Sequence, residues 1–393
     1  ALPKATPAVA DTMAAALQRI RHAAGDSLKI EALAGLAKMH YDYLDDRAAS
    51  DSLAEAAVLL AGSAGDPRLL ALARNLYIES TDHNEYRQKG AAYGTLALLY
   101  ARPAGDLPLQ WRSCRNLAEL YYDCYEYRFA LIYAKEALAI ARKTGDRRLE
   151  AESRLLIGAC LGYGENKMEG YRQLMLAKEM AESTGDPQLM KKCLRRHHSF
   201  YLYNKLFDEA ADTKLQEMDL IRRAVPTDST AMMWCMYELG TVALNNDPDR
   251  FPEKELRNII RYADVTGNLR LRTWAFAQYR GYLLETDNRT TLFRLYTEEY
   301  PGEFSRLAET DPDIYYRLKA FFFDHQGEPV PAQACFTRSE ALMKETHADN
   351  PIYQSVFYQR YGSFLVKQGN IPKAMSCFER SLELAGTSGY PGR

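Results

Sequence analysis

Gly-Asp recurs along this chain with a constant stride of 40 residues, at Gly25-Asp26, Gly65-Asp66, Gly105-Asp106, Gly145-Asp146 and Gly185-Asp186. Gly267-Asn268 falls within two residues of the same grid two strides on, and Asp311-Pro312 and Asn350-Pro351 continue it. Self-similarity at such a period marks an array of stacked modules, not one compact core. Glycine tolerates the left-handed conformation that closes a helix, and a following Asp or Asn accepts hydrogen bonds from the free amides of the next first turn. Proline follows the capping residue at Asp66-Pro67, Asp186-Pro187, Asp311-Pro312 and Asn350-Pro351, where its missing amide proton is not needed. Each junction therefore closes one helix and opens another.

Within each interval the apolar residues recur at helical spacing on both sides of a short turn, which predicts two amphipathic helices per stride. The last interval is the clearest. From Pro351 to Leu384 the pattern is broken at Gln368-Gly369-Asn370, after which small and bulky residues alternate as Ala374, Phe378, Ser381 and Leu382. The preceding interval repeats it at a shift of 42, with Ala320, Gly327, Ala332, Phe336 and Ser339 matching Gly362, Gly369, Ala374, Phe378 and Ser381. Small residues let two helices approach, and the aromatic fills the space beside them.

Leu117-Ala118, Leu239-Gly240 and Tyr361-Gly362 on the first helix, with Ala374-xxx-Phe378-xx-Ser381 on the second, resemble the tetratricopeptide repeat over nearly the whole chain. The resemblance implies an all-α fold, a right-handed α-α superhelix of about nine helix pairs. Pairs are expected to begin near residues 27, 67, 107, 147, 187, 229, 269, 312 and 351. Residues 1–26 would form a tail and helix, 27–387 one continuous solenoid in which neighbouring hairpins lean on one another, and 388–393 a tail. The stride exceeds the family's usual ~34 residues, and the windows 67–106 and 229–268 match poorly. HEAT and armadillo arrays share the longer stride, but lack the small-large-small steps.

The composition bounds the function. The chain has 393 residues, 26% charged, with a net charge of -2, which argues against direct nucleic-acid binding driven by phosphate contacts. No stretch reaches the ~20 apolar residues that span a bilayer. The seven cysteines are scattered without a C-x-x-C pair, which favours buried thiols over a disulfide framework or a zinc site. Metalloprotease, phosphate-loop and nucleophile-elbow motifs are absent. Gly162-Tyr163-Gly164 reads as a turn. His197-His198 diverge by about 100° on a helix and cannot share a metal, so one is expected to be packed and the other solvated. Asp45-Asp46 and Glu298-Glu299 read as solvated turn or helix-end charge. No catalytic residue, metal site or cofactor is expected. An enzyme would have to build its site from isolated side chains at the seams between repeats.

In the tetratricopeptide family the first helix of each pair lines a concave groove. Carried over position by position, the groove would present Arg112, Arg115 and Glu119, then Lys192, Arg195, Arg196 and Ser199, then Trp234, Tyr237 and Thr241, then Gln278 and Tyr282. Its middle would be basic and aromatic, the chemistry of binding hot spots. Lys192 and Arg196 fall where one subclass grips a peptide carboxylate, but Leu156 and Glu119 replace the asparagines expected there. The expected function is a non-catalytic scaffold with a protein, a peptide or a small ligand in this groove. The long, tyrosine-rich style resembles the extracytoplasmic, periplasmic sensor regions of Bacteroidetes-type signal-transduction or transcriptional regulators. That likeness implies a membrane tether outside the given chain. A free-standing cytosolic adaptor or peptide-sensing regulator is the alternative. The opening Ala1-Leu2-Pro3-Lys4, without an initiator methionine, is expected of an excised piece.

Overall fold

The computed structural model describes residues 7–163, 166–224, 228–246, 253–348 and 350–387. The tails at 1–6 and 388–393, and Gly164 of the Gly162-Tyr163-Gly164 turn, lie outside the described residues. Among the described residues the fold is all-α: twenty helices and no strand. Helix α1 (Pro7–His22) precedes nine pairs. They are α2 (Asp26–Leu44) with α3 (Arg47–Ala64), α4 (Pro67–Ser80) with α5 (Arg87–Ala101), and α6 (Leu107–Asp123) with α7 (Tyr127–Thr144). Next come α8 (Arg147–Gly162) with α9 (Lys167–Thr184), α10 (Pro187–Tyr203) with α11 (Phe207–Ala224), and α12 (Ser229–Asn246) with α13 (Glu253–Thr266). In the seventh pair α14 (Leu269–Glu285) meets a broken partner. There α15 (Arg289–Arg294) runs into a π turn at Leu295–Glu299, and α16 (Pro301–Thr310) restarts at a proline, which has no amide proton to continue the ladder. The array ends with α17 (Pro312–His325), α18 (Pro329–Thr346), α19 (Pro351–Lys367) and α20 (Ile371–Thr387).

The junction chemistry accounts for these boundaries. Gly65, Gly105, Gly145 and Gly185 all hold φ between 65° and 71°, the left-handed region where an L side chain is strained. Asp66, Asp106, Asp146 and Asp186 each accept from a first-turn amide, for instance Arg148 N at 2.8 Å and Leu149 N at 3.2 Å on Asp146. Asn268 and Asn350 do the same for Leu271 and Tyr353. Two junctions depart from this scheme. Gly25 is extended and Asp26 begins the helix without a side-chain cap, and Asp311 makes no side-chain cap, accepting instead from the Thr310 hydroxyl.

The chain packs as two compact units, one ending at Tyr279 and one beginning at Arg280. In the first, each helix packs on its partner, and successive first helices also touch: α2 with α4, α4 with α6, α6 with α8, and α8 with α10. No comparable packing joins α3 to α5, α5 to α7 or α7 to α9. The first helices are thus crowded on the inner side of a curve, and the second helices are spread on the outer side. The seams are cut by small residues. A Cβ on Gly94 would sit 2.5 Å from the Leu117 side chain, and one on Gly162 would sit 2.6 Å from the Phe200 ring. In the window 67–106 the small residues Gly90 and Gly94 stand on the second helix and receive Leu120 and Leu117 of α6, which explains its poor match to the repeat pattern.

The curve returns on itself. Arg270 at the start of α14 donates to Asp42 at 3.0 Å and to the Tyr41 hydroxyl at 3.0 Å, both near the end of α2 and 228 or more positions away. Its guanidinium lies 3.9 Å from the centre of the Tyr41 ring. Besides the packing of neighbouring hairpins, the start of α14 thus meets the end of α2 within the first unit. The reason is the crowding of the first helices, which adds curvature in the same sense at each step.

The second unit is built around stacked aromatic rings. Phe336 of α18 lies 4.9 Å from Tyr361 and 4.9 Å from Phe364 of α19, with Phe357 and Phe321 in the same core. Gly362 leaves the space that the Phe378 ring of α20 occupies, since a Cβ there would come within 2.7 Å of it. These are residues of the small-large pattern in the last interval.

Candidate binding site

Four consecutive first helices, α6, α8, α10 and α12, enclose a cavity of about 370 Å³ on the inner side of the first unit. Six of the residues expected in the groove line it: Arg115, Glu119, Lys192, Arg195, Arg196 and Ser199. They come together because each stands on the inward stripe of its helix, with Arg195 and Ser199 one turn apart. The floor is apolar, from Leu155 and Leu156 of α8, and Glu152 and Glu238 complete the wall.

The expected basic surface is corrected by the partners the cations find. Arg112 and Arg115 both grip Glu79 of α4, with two bonds from Arg112 at 2.8 and 2.6 Å and one from Arg115 at 2.6 Å. Lys192 pairs with Glu152 at 2.7 Å. Arg196 pairs with Glu119 across 77 positions, passing over α8, and stacks 4.6 Å from the centre of the Tyr122 ring. Arg195 bonds Glu217 at 2.8 Å, and Glu217 also holds the buried Lys214 at 2.6 Å. Lys214 reaches on to Glu238 at the cavity wall. Six cations thus face five carboxylates. The site is a lattice of alternating charge with one positive charge in excess.

Burial pushes the Glu79, Glu119 and Glu217 carboxyls up, but the facing guanidinium and ammonium groups outweigh it and hold all three below the ordinary carboxylate range. These acids stay ionised at neutral pH, and the pairs stay intact. Lys214 and Glu217 have side chains only 1% and 0% exposed, so this pair is shielded from the screening that weakens exposed ion pairs.

The remaining expected residues form a second cluster. Trp234, Tyr237 and Trp274 meet edge to face, with centroids 5.7 to 6.0 Å apart, and burial pushes the Tyr237 hydroxyl up to about 12. Arg270 lies 5.9 Å from the Trp274 ring, so this aromatic cluster adjoins the contact with α2. Thr241 and Gln278 face each other: Gln278 donates to the Thr241 hydroxyl at 2.7 Å and to the Tyr237 carbonyl at 3.1 Å, tying α12 to α14. Arg112 stands behind the cavity on Glu79, and Tyr282 belongs to the second unit.

Sequence reasoning missed Glu79, Glu152, Glu217, Glu238, Lys214 and Trp274. Only Trp274 carried a signal, since it stands 40 positions after Trp234. The histidine expectation is also corrected. His197 and His198 are both buried, at 3% and 4% exposure. His197 Nδ1 lies 2.9 Å from the Cys193 carbonyl and His198 Nδ1 2.9 Å from that of Ala210. Both fit inside because α10 is covered by α9 on one flank and α11 on the other. Asp45 and Asp46 occupy the turn between α2 and α3, and Glu298-Glu299 lie in the π turn. All seven thiols are free, and six are buried. Among the described residues no three His, Cys, Asp or Glu side chains are grouped to hold a metal, and no helix is long and apolar enough to cross a membrane.

No protein-family model matches the chain, and no curated protein matches it. Among solved structures it is similar to the apo form of RapI, at 10% identity over 97% of this chain and 99% of that one, with a TM-score of 0.40. It is similar also to a human IFIT1 dimer with m7Gppp-AAAA, at 13% identity over 98% and 96%, with a TM-score of 0.42. Both likenesses are distant, and the helical-repeat fold stands on the packing described above.

Proposed function

We propose that this chain is a binding scaffold that takes a polar peptide segment, free or part of a protein, into the cavity between α6 and α12. The observation that carries the reading is the lining itself: an apolar floor at Leu155 and Leu156 inside a wall of paired charges. A peptide offers backbone donors and acceptors in equal number, with apolar side chains for the floor. A single excess positive charge gives a nucleic-acid backbone no run of cations to follow. The carboxylates of the wall, Glu119, Glu152 and Glu238, are all engaged by cations, which supports a binding role over a catalytic one.

The same reading takes this scaffold as the sensing region of a bacterial regulator, working outside the inner membrane. The long stride, Gly-Asp punctuation and abundant tyrosine support it through the resemblance to Bacteroidetes-type sensor regions. A cytosolic adaptor is the second reading, favoured by the seven unpaired thiols, which suit a reducing compartment.

The test is selection of a phage-displayed random dodecapeptide library on the wild-type protein, with poly-U RNA as a parallel probe. Ser199→Trp fills the cavity from its rim. Peptides should be enriched whose affinity falls at least tenfold on Ser199→Trp, while circular dichroism is unchanged. Absence of enrichment, peptides indifferent to Ser199→Trp, or binding of RNA alone would overturn the proposal.

A further inference from the structure

The second unit carries a larger cavity, of about 540 Å³, between α18, α19 and α20. Its size lies within the range of roughly 300–1,000 Å³ common for small-molecule sites. One wall is a single face of α20, where Lys373, Ser376, Cys377 and Arg380 follow at helical spacing. The opposite wall is Glu340 and Lys344 of α18, paired at 2.8 Å. The floor is Tyr358 and Tyr361 of α19, both buried.

Donors outnumber acceptors here. Lys373 bonds the Tyr361 hydroxyl at 2.9 Å and lies 5.2 Å from the centre of its ring, and no carboxylate stands within ion-pair distance of it among the described residues. An ammonium has three N–H donors and no acceptor, so two remain for another group. Arg380 is held by Glu383 at 2.6 Å, but that pair is about half exposed on both sides, and such pairs exchange partners at little cost. The Ser376 hydroxyl adds a further donor. On the acceptor side, Glu340 is already engaged by Lys344 and by the Tyr358 hydroxyl at 3.1 Å.

We propose that this cavity is a binding site for a small oxyanion bearing at least two charges, with Lys373 as its central contact and Lys344 and Arg380 closing on either side. Charge-assisted bonds from ammonium and guanidinium to an oxyanion are the strong class of hydrogen bond, and the tyrosine floor gives a carbon skeleton an aromatic face. The site lies in the other compact unit and is independent of the peptide reading above.

Isothermal titration of the whole chain with sodium citrate and with sodium pyrophosphate, against chloride at matched ionic strength, tests it. At least one probe should bind with 1:1 stoichiometry. Lys373→Gln should weaken that binding at least tenfold, whereas Lys367→Gln, which removes the same charge outside the cavity, should leave it unchanged. Citrate alone would assign a carboxylate ligand and pyrophosphate alone a phosphate-bearing one. Binding of neither, or equal weakening by the two variants, would overturn the proposal.

Discussion

The contact of Arg270 with Tyr41 and Asp42 is small, and its removal should change the shape of the first unit. The contact is made by side-chain tips, the Arg270 guanidinium on the Tyr41 ring and on the Tyr41 and Asp42 oxygens. The Arg270–Asp42 pair is partly exposed, at 20% and 35%, and after solvent screening contributes about 1 kcal/mol. The guanidinium over the Tyr41 ring adds about 1 kcal/mol. Its bond to the Tyr41 hydroxyl, which in turn donates to Asp82 at 3.2 Å, adds about 0.5–1 kcal/mol. Arg270→Ala therefore forfeits about 2.5–3 kcal/mol, a shift of roughly 60- to 140-fold between closed and open forms. Small-angle scattering should show a larger radius of gyration for the variant, and hydrogen exchange should quicken at the end of α2 and the start of α14. Wild type in 1 M salt should move the same way, because the ionic part is screened. Unchanged scattering together with unchanged exchange in Arg270→Ala would show that the curvature is held elsewhere and refute the reasoning.

Two further predictions concern stability. Gly145→Ala should cost about 1–2 kcal/mol, because Gly145 holds φ at 71°, whereas Gly25→Ala at an extended φ of -173° should cost little; paired chemical denaturation curves measure the difference. Burial lowers His197 and His198 below the ordinary imidazole value, so the unfolded chain binds protons that the folded one refuses, and the stability present above about pH 6.5 is lost as pH falls toward the folded values. His83 opposes this: burial acts downward, but the bond and charge of Asp123 raise it, so its contribution is full below about pH 6.5 and lost as pH rises through its folded value. With two histidines against one, the melting temperature should fall from pH 7 to pH 5.5. The drop should be shallower in His198→Gln and steeper in His83→Gln; a flat profile in wild type would contradict the assignment.

The fold was legible because its signals are local. A left-handed glycine followed by a capping aspartate acts within five residues, so the sequence alone marks where α4, α6, α8 and α10 begin. The inward stripe was legible for the same reason, since Arg115, Glu119, Arg195 and Ser199 are fixed by helical phase. The partners of those residues were not. Glu79 meets Arg112 from 33 positions away, Glu119 meets Arg196 from 77, and Asp42 meets Arg270 from 228. Such distances between charges depend on the rotation accumulated over several pairs, which no short window encodes. A count of lysines and arginines along one face therefore leaves out the carboxylates that neutralise most of them.

The notches at Gly94 and Gly162 have a consequence for how this architecture can change. Each is filled by a bulky side chain from the next pair, Leu117 in one case and Phe200 in the other, so each seam is a lock cut for one key. Excising the pair α8–α9 would remove the notch that receives Phe200 and bring α7 against a surface shaped for another neighbour. The modules are alike in outline yet not interchangeable, and lengthening or shortening the array requires new notches to be cut along with each new hairpin.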